Sequence, residues 1–394
     1  MINSYGHIRG TRKVKKPTVS NLVIMGDSLS DRGTLDRRLL FGFIPLDKLS
    51  GLEGRSPVGR FTNGYAWSDH LSAMFANEFT LRQLKKRKHF VDVTDMSDAI
   101  ITDEHKIKEH VDHAYSLGND LSIHYQNRNF IRSYDEGGLT AHDYSWTLSN
   151  SISRFFTRLI VSTLAAKRRD LLAYDHQYKV AQKRKAETLI IEWSGANDLI
   201  TVNARPSKEE VDKAIRNRIE NAKMLIQNGY RHVVLFNLPD LSLTPRYQRK
   251  NLAEQANAKE WSNYFNAQLA IACEKLADEN KDLGCSINVF DINAEFKKIY
   301  EHPAEYGFKE DKLKQPYLQS PDFKIKKDGT SPATGYLFWD DVHPTADTHV
   351  KLAEKFFDWC KNQYNVLMPE SNNKNYRQQF RKIENCEQQV VMKH

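Results

Sequence analysis

Three short blocks carry residue types that could act together on an acyl group. Ser28 stands in Gly26-Asp27-Ser28-Leu29-Ser30-Asp31, directly after the apolar run Leu22-Val23-Ile24-Met25. A serine hydroxyl is a weak nucleophile until a neighbouring base takes its proton. Far along the chain, Asp340-Asp341-Val342-His343-Pro344-Thr345 offers His343 as that base. Asp340 can reach the imidazole within one turn, fixing its tautomer and stabilising the imidazolium that forms. Asp341 competes for this role, and the D-x-x-H spacing selects Asp340. Between the two blocks, Leu189-Ile190-Ile191-Glu192-Trp193 runs into Ser194-Gly195-Ala196-Asn197. An Asn amide at such a point is a suitable donor to an oxyanion.

The elements that must position these groups follow from the pattern around them. Continuous apolar runs at 22–25, 189–191 and 233–236 read as strands buried on both faces. In an open parallel sheet, reactive groups collect at the carboxyl ends of the strands, which is where Ser28 and Asn197 fall. Residues 129–141 read as a short strand ending in the Gly137-Gly138 turn, and 286–291 as another strand. Helices are predicted over 65–79, in one or two pieces over 145–185, over 208–227 with the stop signal Asn228-Gly229, over 252–280, and over 350–359. Alternation of strands and helices gives an α/β fold with a mostly parallel sheet. The stretch 145–185 reads as cover for the sheet, with a lid or cap as the alternative. The irregular, Lys-rich stretch 300–335 is long enough to form part of a substrate rim.

Gly26-Asp27-Ser28-Leu29-Ser30-Asp31, Gly59-Arg60-Phe61-Thr62-Asn63-Gly64, Gly195-Ala196-Asn197-Asp198 and Asp340-Asp341-Val342-His343 occur in the order of the blocks of the GDSL (SGNH) lipases and esterases. The chain resembles that family over roughly residues 20–360. The block at 59–64 and the wording around Ser28 resemble the glycerophospholipid:cholesterol acyltransferase branch, which contains bacterial phospholipases A, lysophospholipases and acyltransferases. The resemblance implies a three-layer α/β/α SGNH-hydrolase (flavodoxin-like) fold. It also implies serine-dependent cleavage of a lipid ester through an acyl-enzyme, with Ser28, Asp340 and His343 as catalytic residues. The oxyanion donors it implies are Ser28, Gly138 and Asn197, with Gly64 as the alternative glycine. Neither a cofactor nor a metal is expected. Expected partners are a phospholipid or lysophospholipid substrate, a possible sterol acceptor of the acyl group, and a peripheral membrane surface. Two readings from other classes stand beside this one: a carbohydrate-ester deacetylase and a non-catalytic membrane-binding module.

The bulk properties agree with an extended single unit. The chain has 394 residues, a formal net charge of +8 and 40% hydrophobic residues, and its mean hydropathy is −0.64. No apolar stretch approaches the roughly 20 residues of a membrane span. The positive charge suits an anionic surface, and no nucleic-acid motif accompanies it. We expect a basic arm over 1–20, the hydrolase domain over 21–364 and a polar appendage over 365–394. The first 20 residues lack the apolar core of a secretory signal, which fits residence in the producing cell or export into a host by a specialised route. Cys273, Cys285, Cys360 and Cys386 have no zinc-ligand spacing. Cys273 and Cys285 could bridge after export, or all four could stay thiols. His105, His110 and His113 match no zinc pattern either. Lys85 to His89 reads as a solvated basic face, and Phe41 and Phe43 as part of a loop beside Ser28 packed on the core, with an apolar lip as the alternative.

Overall fold

The computed structural model describes residues 16–40, 44–46, 52–86, 115–116, 122–126, 128–145, 147 and 151–369. Among the described residues the central sheet has seven strands: β1 (Asn21–Gly26), β2 (Tyr115–Ser116), β3 (Ser122–Tyr125), β4 (Arg128–Asp135), β5 (Thr188–Trp193), β6 (His232–Phe236) and β7 (Ser286–Phe290). Their spatial order is β7-β6-β5-β1-β4-β3-β2. The strands from β7 to β4 are parallel, while β3 and β2 extend the edge antiparallel. Among the parallel strands this is the flavodoxin-like order, so the chain turns from one side of β1 to the other between β4 and β5. Ligands bind at such a switch point, beyond the carboxyl ends of the strands.

Alternate side chains of β1 feed two separate cores, as the pleat requires. Leu22 and Ile24 face a core containing Trp67, Phe236, Phe290 and Phe356. Val23 and Met25 face the other, with Leu171, Leu225 and Phe265. The first core is covered by α1 (Trp67–Lys86) and by α7 (Ala346–Gln363), the last helix among the described residues. The second is covered by α3 (Leu164–Gln177), α4 (Lys208–Gln227) and α5 (Leu252–Glu279). Aromatic rings clamp the first layer: Trp67 lies 5.1 Å from Phe236 and 5.9 Å from Phe356, centroid to centroid. Each such pair adds about 0.5–1.5 kcal/mol beyond its buried area.

Several expected boundaries shift. The helix expected at 65–79 begins at Trp67 and runs on to Lys86, and the one expected at 350–359 spans Ala346–Gln363. The stretch 145–185 holds α2 (Ile152–Ile160), α3 and a short helix at Gln182–Ala186. Of these, α2 does not lie over the sheet but beside the cleft described below. Thr18–Val19 pairs in parallel with Asn365–Val366, so a two-stranded ladder joins part of the expected arm to part of the expected appendage. Helix α6 (Ile292–Glu301) follows β7. Residues 300–335 form short 3₁₀ turns and loops. Cys273, Cys285 and Cys360 are free thiols. Phe41, Phe43, residues 87–89, the three histidines at 105, 110 and 113, and Cys386 lie outside the described residues.

Candidate active site

Strand register assembles the site. Gly26 of β1 pairs with both Asp135 of β4 and Trp193 of β5. The loops leaving these ends carry Ser28, Gly138 and Asn197, so residues far apart in sequence emerge side by side. Ser28 sits in a tight turn, where the Asp27 carbonyl accepts from the N–H groups of Ser30 and Asp31, each at 3.0 Å. Its Oγ lies 2.7 Å from His343 Nε2.

His343 is presented by a closed loop just before α7. Trp339 N–H donates to the His343 carbonyl at 2.8 Å, and Thr345 N–H to the Leu337 carbonyl at 3.0 Å. Thr345 caps the helix, accepting from Thr348 N–H. Within the loop, Asp340 Oδ2 lies 2.7 Å from His343 Nδ1. Asp340 Oδ1 accepts from the N–H groups of Val342 at 2.8 Å and His343 at 2.6 Å. Burial opposes ionisation of Asp340, but His343 and these donors outweigh it and hold the carboxyl below its ordinary range. Asp341, the competing orienter, turns away to Arg249 at 2.5 Å and Gln319 at 3.1 Å. Phe61 of the block at 59–64 packs against the His343 ring, with centroids 5.0 Å apart.

On the other side of Ser28 lie the candidate oxyanion donors. Gly138 has a φ of +79°, a conformation that glycine adopts without strain. Neither its N–H nor that of Ser28 has a hydrogen-bond partner among the described residues. Asn197 Nδ2 donates to the Leu139 carbonyl at 3.0 Å, which leaves its second N–H free and ties the amide to the Gly138 loop. Gly195 makes this placement possible: its φ is +112°, and a Cβ there would meet Phe265 Cζ at 2.7 Å. Gly64, the alternative glycine, lies elsewhere, against Ala346. Its neighbour Asn63 accepts from Ala346 N–H at 2.8 Å and donates to the Ser331 carbonyl at 2.7 Å, holding the start of α7.

Asp31 is a holding residue that the sequence pattern does not single out. Its carboxylate accepts from the N–H groups of Gly33 at 2.9 Å, Thr34 at 2.6 Å, Leu35 at 3.2 Å and Gly137 at 2.6 Å. It thereby fastens the loop after Ser28 to the Gly137-Gly138 turn. An Asp ahead of Arg-Gly-Thr signals a turn, but its long-range donor is invisible in one dimension. Burial drives Asp31 up to about 6 and Asp27 up to about 7, against the N–H donors that favour their ionised forms.

These groups open onto a cleft of about 740 Å³. Its wall includes Leu35, Ile160, Leu241, Phe296 and Phe323, together with Arg55 and Arg246. Leu318, Gln319 and Phe323 come from the irregular stretch expected to form a rim. Leu241, Phe296 and Arg246 had no signal in the sequence, because only the fold brings them to Ser28. The arrangement can generate an alkoxide-like nucleophile, hold a tetrahedral oxyanion and accommodate a long apolar group.

A family model described as GDSL-like lipase/acylhydrolase matches residues 22–356. The chain is 23% identical over 394 aligned positions to the phosphatidylcholine-sterol acyltransferase of Aeromonas hydrophila, covering 89% of this chain and 93% of the relative. It is 25% identical over 333 positions to the secreted effector protein SseJ of Salmonella typhimurium, covering 84% of this chain and 61% of that protein. Among solved structures, an acetylxylan esterase from Geobacillus stearothermophilus, Axe2, is 14% identical with a TM-score of 0.37, covering 88% of this chain and 95% of that one.

Proposed function

The chain belongs to the GDSL-like lipase/acylhydrolase family, and from this premise we propose that it is a serine-dependent lipid ester hydrolase acting through an acyl-enzyme. One observation carries the reading: Ser28 Oγ, His343 and Asp340 form a continuous hydrogen-bonded line, at 2.7 Å and 2.7 Å, opening onto an apolar cleft. Ser28 Oγ attacks the ester carbonyl carbon while its proton passes to His343 Nε2. The carbonyl electron pair moves onto oxygen, where the N–H groups of Ser28 and Gly138 and the Asn197 amide receive it. Collapse expels the alcohol, which takes the proton from His343 and leaves the acyl group on Ser28. Water, or a sterol hydroxyl, then attacks as His343 again accepts a proton. A fatty acid or a sterol ester leaves, and Ser28 regains its hydrogen.

The likeness to a phosphatidylcholine-sterol acyltransferase supports a glycerophospholipid donor and a sterol acceptor. A membrane surface as partner is supported by α2. Its inner residues Thr157 and Ile160 line the cleft, while Ile152, Phe156 and Leu159 are 78%, 56% and 39% exposed. Arg158 holds the helix to the body through the carbonyls of Thr147 and Val202, each at 3.0 Å. An apolar stripe continuous with an apolar cleft suits a lipid interface.

The test is product analysis by mass spectrometry on mixed phospholipid vesicles, with and without cholesterol, for the wild type and Ser28→Ala. Fatty acid release lost in the variant is the expected result, and cholesteryl ester in addition would mark acyl transfer. Release of acetate from acetylated sugars, with no lipid product, would overturn the lipid reading. Full activity in Ser28→Ala would remove Ser28 as nucleophile.

A further inference from the structure

The reacting groups of the cleft are accompanied by two guanidinium groups in its wall, Arg55 and Arg246. Arg246 is firmly placed. Its backbone N–H donates to the Asp341 carbonyl at 2.9 Å, one residue from the carboxylate that holds His343. Its Nη1 donates to the Ile200 carbonyl at 3.3 Å, at the end of the short helix Ala196–Ile200 that carries Asn197. Arg246 is half-buried, with its backbone on the His343 loop and its guanidinium on the helix bearing the Asn197 amide.

Its charge has no acidic partner among the described residues. The carboxylates that share the cleft are already engaged. Asp341 is held by Arg249 and Gln319. Asp340 is held by His343, and Asp27 is buried with its Oδ1 on Leu29 N–H at 3.0 Å. A guanidinium has five donors in a planar fork, and the Ile200 carbonyl that accepts from this one is neutral. Half-desolvating a cation beside an apolar wall is unfavourable unless an anion completes the site. A planar fork matches the paired oxygens of a phosphate.

We propose that Arg246, with Arg55 as a second, exposed cation lining the same cleft, forms a subsite for the phosphodiester of a glycerophospholipid headgroup. The inference rests on the lipid-ester reading above and adds to it what selects the substrate. The ester and the phosphate of such a lipid are joined through the short glycerol backbone. With the scissile carbonyl on Ser28 and Asn197, a phosphate tethered through glycerol stays within the cleft that Arg246 lines. The subsite favours phosphate-bearing esters over neutral glycerides with the same acyl chain.

The experiment compares lysophosphatidylcholine with a monoacylglycerol of identical chain in neutral detergent micelles, for the wild type, Arg246→Gln, Arg246→Lys and Arg55→Gln. Arg246→Gln should raise KM for the lysophospholipid by about tenfold or more beyond any change seen with the monoacylglycerol. Arg246→Lys should recover only part of this difference, because lysine offers charge without the fork. Equal losses on both substrates would mean that Arg246 only braces the Ile200 carbonyl, and would overturn the subsite. A second measurement needs only the wild type: inhibition of p-nitrophenyl butyrate hydrolysis by glycerophosphocholine, glycerol and inorganic phosphate. Competition by glycerophosphocholine but not by glycerol supports the subsite. Competition by inorganic phosphate alone, or by none of the three, overturns the headgroup assignment. Hydrolysis of the monoacylglycerol without the lysophospholipid would overturn the subsite and leave the lipid ester reading standing. Hydrolysis of p-nitrophenyl butyrate with neither lipid would overturn both.

Discussion

At the scale of single residues, the proposed mechanism divides the site into groups that react and groups that hold. Asn197 belongs to the first kind through its free amide N–H. Asn197→Ala should lower kcat by about 10²–10³-fold with little change in KM, because the oxyanion exists only in the transition state. Steady-state kinetics on a soluble short-chain ester measures this, and a loss confined to KM would contradict it. Asp27 holds the Ser28 turn, and burial raises its carboxyl from 3.8 to about 7. Folding therefore favours its protonated form. Its contribution to stability is complete below the ordinary carboxylate range and is lost as pH rises through about 7. Asn can keep the acceptor for Leu29 N–H without acquiring a charge. The melting temperature of Asp27→Asn should thus fall less than that of the wild type between mildly acidic and mildly alkaline pH. Identical slopes would show that Asp27 ionises without cost.

At the scale of elements, α2 is the piece whose surroundings are least like the rest of the fold. The covering helices lay their apolar faces on the sheet, while α2 divides its apolar residues between the cleft wall and solvent. Serine at both Ile152 and Phe156 should lower activity on phospholipid vesicles several-fold more than activity on a monomeric soluble ester. Equal effects on both substrates would assign the exposed stripe no role at a lipid surface. The fold should persist in this variant, because neither side chain contributes to the buried cores.

At the scale of the whole molecule, one buried ionic cluster ties the site loops to the scaffold. Asp69, in the first turn of α1, meets Arg32 Nε at 2.7 Å and Arg60 Nη2 at 3.2 Å, and accepts from Ala66 N–H at 3.0 Å. The loop after Ser28, the block at 59–64 and α1 thus converge on one carboxylate. The two guanidinium groups hold it well below the ordinary range despite its burial. Asp69→Ala leaves two buried cations without their shared counter-charge, which costs about 3–5 kcal/mol. Chemical denaturation should show a drop of that size. A loss within about 0.5 kcal/mol, as at an ordinary surface site, would mean that water or other groups replace the carboxylate.

Much of this organisation is legible in one dimension, and the division has a physical cause. The strand at 21–26, the helix at Lys208–Gln227 and the Ser28, Asn197 and Asp340–His343 blocks are readable, because apolar runs, caps and short-range spacing are local properties. The D-x-x-H turn is local too, so spacing alone separates Asp340 from Asp341. Local pattern does not decide which glycine lines the cleft with Ser28, since Gly64 and Gly138 both stand in turns and strand register brings Gly138 there. Nor can it reveal that Asp31 fastens two distant loops, that Asp69 gathers Arg32 and Arg60, or that Arg246 joins the wall beside Asp341. Those contacts join residues up to 106 positions apart, and their energies depend on burial, which only the closed sheet and its covering helices create. Residue types and their spacing determined the chemistry available to this chain. The packed fold decided which groups stand close enough, and dry enough, to carry it out.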